Sequence, residues 1–201
     1  MRNSAFLFAS VCCLLSMAAC KKKNNGGNSG PNPLIGSWTF NGETSNASTT
    51  STVAGPVSIK VVNLVNFATT NNSGDLTFNS DSMVVAGLGY DIDTAVTTYT
   101  YVGATIDTAI SPLTVTTAPF DTLVAYKLIG QDSISFPNGS PFAFALQGFQ
   151  PPVQLNGFHF SINGNTLTLH STINQTGQET YNGITAPTTV AVTSVITLTK
   201  H

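Results

Sequence analysis

Apolar and polar residues alternate one by one through residues 158–171, and this period of two is what most restricts the fold. Phe158, Phe160 and Ile162 alternate with His159 and Ser161; beyond Asn163-Gly164, Leu167 and Leu169 alternate with Thr166, Thr168 and His170. Successive side chains of a strand point to opposite faces, so the stretch presents one apolar face and one polar face. Asn-Gly is a strong hairpin signal, because both central residues of a type I′ turn need positive φ. A turn there opposes Phe160 to Leu167 and Phe158 to Leu169. A turn at Gly164-Asn165 keeps the same faces, so alternation leaves the register open.

The same grammar recurs along the chain. Val190, Val192, Ile196 and Leu198 share one face of a last strand, and Val57, Ile59 and Val61 one face of an early strand. Leu76-Thr77-Phe78 leads through the turn Asn79-Ser80-Asp81 into Met83-Val84-Val85. Tyr126-Lys127-Leu128 leads through Gly130-Gln131-Asp132 into Ile134-Ser135-Phe136. Thr, Val, Ile, Phe and Tyr favour pleated strands, and no helical period competes. The expectation is an all-β domain, an antiparallel meander that closes as a barrel or splits into a β-sandwich. It occupies residues 34–201, long enough to bury one sizeable core.

Charge excludes one large class of partner. Residues 34–201 carry Lys60, Lys127 and Lys200, no arginine, and all nine acidic residues of the chain. Such a surface repels phosphate backbones, so no nucleic-acid partner is expected. Charged residues make up only 8% of the sequence, so solubility must rest on Thr, Ser and Asn.

The N-terminal part reads as an address. Arg2 precedes an apolar run over residues 5–17, too short for a spanning helix of about 20 residues and suited to a signal peptide. Leu15-Ser16-Met17-Ala18-Ala19-Cys20 resembles a lipobox, with Met17 where the family prefers Leu. The resemblance implies that residues 1–19 are removed and that Cys20 is lipidated, its sulfur and freed amine taking acyl chains that anchor the protein to a membrane. Residues 20–33 then form a lysine-bearing tether with nothing apolar to bury. The Lys run behind the Cys is similar to lipoproteins of Bacteroidota-type gram-negative bacteria. No Asp follows Cys20 directly, which argues against retention at the inner membrane, so the outer membrane is expected, with the periplasmic and surface leaflets both open. Cys12, Cys13 and Cys20 are the only cysteines, so the body has no disulfide.

Leu34-Ile35-Gly36-Ser37-Trp38 opens the body and looks like the Gly-x-Trp start of lipocalin-like proteins. The segments 76–81, 160–169 and 196–200 resemble a strand-turn, a late hairpin and a final strand of bacterial lipocalin-like lipoproteins, in the same order. The resemblance implies a barrel in which Gly36 permits close packing and Trp38 plugs one end. An arginine commonly covers that indole; here Lys200 stands near the place and can approach the ring as a cation.

Several residues qualify as sites. Five of the seven aspartates fall in an Asp-(Ser/Thr)-apolar pattern, which matches the O-glycosylation sequon of Bacteroidota-type bacteria at Ser82, Thr94, Thr108, Thr122 and Ser133. The structural alternative is an Asp in a turn, a hydroxyl residue, then an inward apolar residue that starts a strand. Asp91 and Asp93 share a strand face, and His159 and His170 share the polar face of the late hairpin, where a diagonal placement is open; neither pair has further ligands in view, so no metal and no cofactor is expected. Residues 136–158 are proline-broken yet hold Phe136, Phe142, Phe144, Phe149 and Phe158, either a mouth loop or a loop folded onto the core. Glu43 and Glu179 fall in polar, loop-like stretches. No nucleophile elbow, zinc-protease motif or phosphate loop occurs, so an enzyme is not expected. The leading expectation is a carrier of a small apolar or amphiphilic molecule. Its rival is an envelope component with a filled interior and an unidentified protein partner. A cavity lined by Phe158, Phe160, Leu167 and Leu169 would favour the carrier, and solid packing there the rival.

Overall fold

The computed structural model describes residues 32–142, 155–181 and 184–201. The expected leader, the expected lipidation site Cys20 and the expected tether up to residue 31, together with Phe144 and Phe149, lie outside them. The described chain forms ten strands: β1 (Gly36–Val53), β2 (Ile59–Ala68), β3 (Thr70–Phe78), β4 (Ser82–Val102), β5 (Thr105–Ala125), β6 (Lys127–Ile129), β7 (Ser133–Ser135), β8 (Gly157–Asn163), β9 (Thr166–Tyr181) and β10 (Ile184–Lys200). All belong to one antiparallel sheet.

The order β2-β4-β3-β1-β10-β9-β8-β7-β6, with β5 beside β4, is a meander once two near-continuous strands are recognised. β2 and β3 run in line between β1 and β4, interrupted at Thr69, and the four form a hydrogen-bonded ring. β5 and β6 are likewise parted by Tyr126 alone. β5 pairs with β4 as far as Ser82↔Ala125, and β6 pairs with β7 from Lys127↔Ser135. The chain thus leaves one end of the sheet and joins the other within two residues, which makes the fold barrel-like. Tyr126 turns inward at this corner: its N–H donates to the Asp81 carbonyl at 2.9 Å and its hydroxyl to the Asn79 carbonyl at 2.5 Å.

The late hairpin takes the second of the two registers. Phe160 opposes Leu169 and Asn163 opposes Thr166, so the turn is Gly164-Asn165. Gly164 has φ +58° and Asn165 is not among the positive-φ residues, as a type II′ turn requires. Both faces keep their expected character: Phe158, Phe160, Leu167 and Leu169 are buried, His159 and His170 exposed.

β-bulges line up across three neighbouring strands, at Phe40/Gly42 on β1, between Thr70 and Asp75 on β3, and between Val85 and Tyr90 on β4. Such insertions bend a sheet and re-aim its side chains. Gly74 (φ +114°) is required there, because a Cβ would come within 2.6 Å of the Leu88 Cα. On one side of this line the interior is aromatic. Trp38, Phe78, Tyr126, Phe136, Phe142 and Phe158 are buried, and ring centroids lie 5.4–6.4 Å apart in edge-on or tilted pairs, including Phe78–Tyr126 and Phe136–Phe158. On the other side β1, β2, β4, β5, β9 and β10 continue as long strands with a mixed lining.

Candidate functional site

The mixed lining follows from parity. Past the bulge, β1 turns Glu43, Ser45, Ala47, Thr49 and Ser51 inward. β10 presents Thr188, Val190, Val192 and Ser194 to the same space, with Ser45↔Ser194, Ala47↔Val192 and Ser51↔Thr188 directly opposed. From β2 come Phe67, Val65, Asn63 and Val61, in register with β1. Small and hydroxyl side chains leave room where aromatic rings fill the other end.

A cavity of about 510 Å³ opens at the far end of these strands. Val53, Ile59, Val61, Ile184 and Ala186 supply most of its wall, with Ser51, Asn63, Thr98 and Glu179 as the polar members. Ser51 lies thirteen positions along β1 from Trp38, roughly 40 Å of strand. The polar floor is internally satisfied: Thr98 donates to Asn63 Oδ1 at 2.7 Å, and Asn63 Nδ2 donates to Thr49 Oγ1 at 3.0 Å. At the mouth, Ser51 Oγ lies 3.2 Å from Glu179 Oε2 and 2.8 Å from Thr188 Oγ1.

Glu43 is the second inward carboxyl. It is only 3% exposed, and burial pushes its pKa up to about 8 against the opposing hydrogen bond from Ser194 Oγ to Oε1. Its Oε2 is buried without a hydrogen-bond partner. The loop placement expected for both glutamates is therefore wrong. Glu43 lies in β1 and Glu179 in β9, Glu43 brought inward by the bulge and Glu179 by the length of a strand whose polar residues alternate with Ile173 and Gly177.

The other sequence-derived candidates disperse. Trp38 is fully buried, its indole N–H donating to the Leu34 carbonyl at 2.8 Å; it opposes Lys200, whose Nζ lies 5.4 Å from the indole centroid. Gly36 (φ +129°) packs beside the Lys200 stem. His159 and His170 are directly opposed rather than diagonal, and His159 Nδ1 meets Ser133 Oγ at 2.9 Å. Asp91 and Asp93 face outward on β4, where the Asn71 amide lowers the Asp91 pKa. No group of three metal-ligating side chains occurs among the described residues. The turn explanation of the aspartate pattern holds for Ser82 and Ser133, which open β4 and β7, and fails for Thr94, Thr108 and Thr122, which lie inside β4 and β5. Of the five, Thr108 is the exposed one. Phe136, Phe142 and Phe158 fold onto the core instead of rimming a mouth. Phe158, Phe160, Leu167 and Leu169 are buried, and none of them lines the 510 Å³ cavity, so that space lies elsewhere than the hairpin suggested. Val57 lies just before β2, outside the strand face assigned to it.

Compared with protein-family models, curated proteins and solved structures, the chain matches none of them.

Proposed function

We propose that this chain is a lipid-anchored protein of the outer membrane, held through Cys20, whose lipocalin-like domain carries a small apolar or amphiphilic molecule. The supporting observation is the mainly apolar cavity bounded by Val53, Ile59, Val61, Ile184 and Ala186, of a size suited to one small ligand. Hydroxyl-rich interior faces widen that end, while the aromatic end stays solid and gives it a rigid frame. On this reading Gly36, Trp38 and Lys200 close the frame and take no part in binding.

The burial of Phe158 and Leu169 away from that cavity favours the rival, an envelope component that docks a protein partner, at that end of the molecule only. The two readings separate in native mass spectrometry of the protein extracted gently from its own membrane. A carrier shows a discrete, removable adduct of small-molecule mass, which Val61→Trp, filling the cavity, abolishes. A clean protein mass after varied extraction removes the carrier reading.

A further inference from the structure

The ionisable groups at the cavity carry one sign of charge. Its lining contains one ionisable side chain, Glu179, and no cation. The three lysines of the body are engaged or placed elsewhere. Lys60 stands over the Tyr101 ring at 5.5 Å, on the opposite face of β2 from Ile59 and Val61; Lys127 lies on β6; Lys200 covers Trp38. The histidines lie on the outer face of the late hairpin and at the C-terminus, where His201 meets Asp75 at 2.9 Å. Asp107 opposes Thr100 on β5, so it faces the same side of the sheet as Thr98 and adds a second negative group near that end. The neutral polar groups of the floor, Asn63, Thr98 and Thr49, already satisfy one another.

We infer that the ligand of this cavity is a cationic amphiphile: an aliphatic or aromatic body against Val53, Ile59, Val61, Ile184 and Ala186, with an ammonium donating to the Glu179 carboxylate. The inference rests on the carrier reading and narrows it. A carboxylate accepts up to about four hydrogen bonds, and Ser51 supplies one of them. Ser51 and Thr188 fix the carboxylate at the mouth, where a ligand headgroup keeps part of its hydration while its tail is buried. A fatty-acid or phosphate headgroup would meet Glu179 with no countercharge nearby, a like-charge contact that opposes binding.

Three probes of one tail length test this: decylammonium, decanol and decanoate, titrated calorimetrically into the lipid-free body at low salt. Decylammonium should bind about tenfold more tightly than decanol, the usual size of one charge-assisted hydrogen bond, with decanoate weakest. Added salt should narrow the gap. Glu179→Gln should bring decylammonium down to decanol, and Glu179→Lys should invert the order in favour of decanoate, an inversion that loss of structure would not produce. Decanol or decanoate binding as well as decylammonium would overturn the charge preference and leave the carrier reading standing. Binding of none of the three would overturn both.

Discussion

The two ends of the long strands are built from the same backbone and opposite side-chain policies. Around Trp38 the interior holds Phe40, Phe78 and Phe158 from the strands and Tyr126, Phe136 and Phe142 from the segments between them, and rings meet edge to face. Around Ser51 the inward positions of β1, β2 and β10 carry Thr49, Asn63, Val61, Thr188 and Ala186, and a cavity remains. The line of bulges through β1, β3 and β4 divides them. Burial of large rings concentrates stability at one end, and small or hydroxyl side chains keep space at the other. A frame and a container are thus separated within one sheet, and each can be altered without the other.

The largest effect is expected at the dividing line, where Glu43 measures how dry the boundary is. Burial raises its pKa from 4.5 to about 8. Between those values the folded protein keeps a proton that the unfolded chain releases, so stability is greatest below the unfolded value, falls as pH rises, and levels off above the folded value. The full linkage is at most about 5 kcal/mol. Urea denaturation at about pH 5 and about pH 9 should show wild type losing stability relative to Glu43→Gln, which carries no titrating group there. Equal pH dependence in the two proteins would mean that water reaches Glu43 and that the dividing line is open.

Next in size is the contrast between the ends themselves. Phe136→Ala removes a ring that touches Tyr126, Phe142 and Phe158 and should cost about 3–5 kcal/mol. Val61→Ala enlarges a space that is already open and should cost about 1 kcal/mol or less. Denaturation midpoints of the two variants test the division directly; comparable losses would show that the long strands share one cooperative core and that the container is no more tolerant than the frame.

The frame was readable in the sequence and the container was not. Alternation at Phe158–Phe160 and Leu167–Leu169, and again from Val190 to Leu198 with Ser194 as the one polar break, announces buried faces because apolar residues recur at every second position. The tight turns at residues 79–81 and 130–132 announce themselves by Asn, Gly and Asp. The inward face at the other end is written in Thr, Ser, Asn and Glu, which carry no hydrophobic signal. On β1 the bulge at Phe40/Gly42 also shifts the parity, so the period that places Trp38 and Phe40 inside places Glu43 outside if continued unbroken. Gly42, with φ +142° and an Asn72 side chain 2.6 Å from where its Cβ would stand, was the one local mark of that shift. Glu179 needed β9 to be read as a strand of sixteen residues, far beyond the ordinary length of about 5–6. The hairpin register was undecidable for a different reason: both turns preserve the faces, and only Gly164 taking the single positive φ selects one.

The smallest effect tests how the frame is sealed. Trp38 is the only tryptophan, so its emission reports this end alone. Lys200 lies across its indole with Nζ 5.4 Å from the ring centroid, and the Lys200 stem also packs beside Gly36. Two contributions are therefore mixed, apolar cover from the stem and attraction of the ammonium to the ring face. Lys200→Met keeps most of the first and removes the second. It should lower stability by about 0.5–1 kcal/mol, the size of an exposed cation–π contact, with little change in emission wavelength because the indole N–H still donates to the Leu34 carbonyl. Lys200→Gly, which strips both, should lose more and redden the emission as water reaches the ring. If Met matches wild type while Gly does not, the seal is hydrophobic cover alone, and the positive charge at this position contributes nothing to closing the frame.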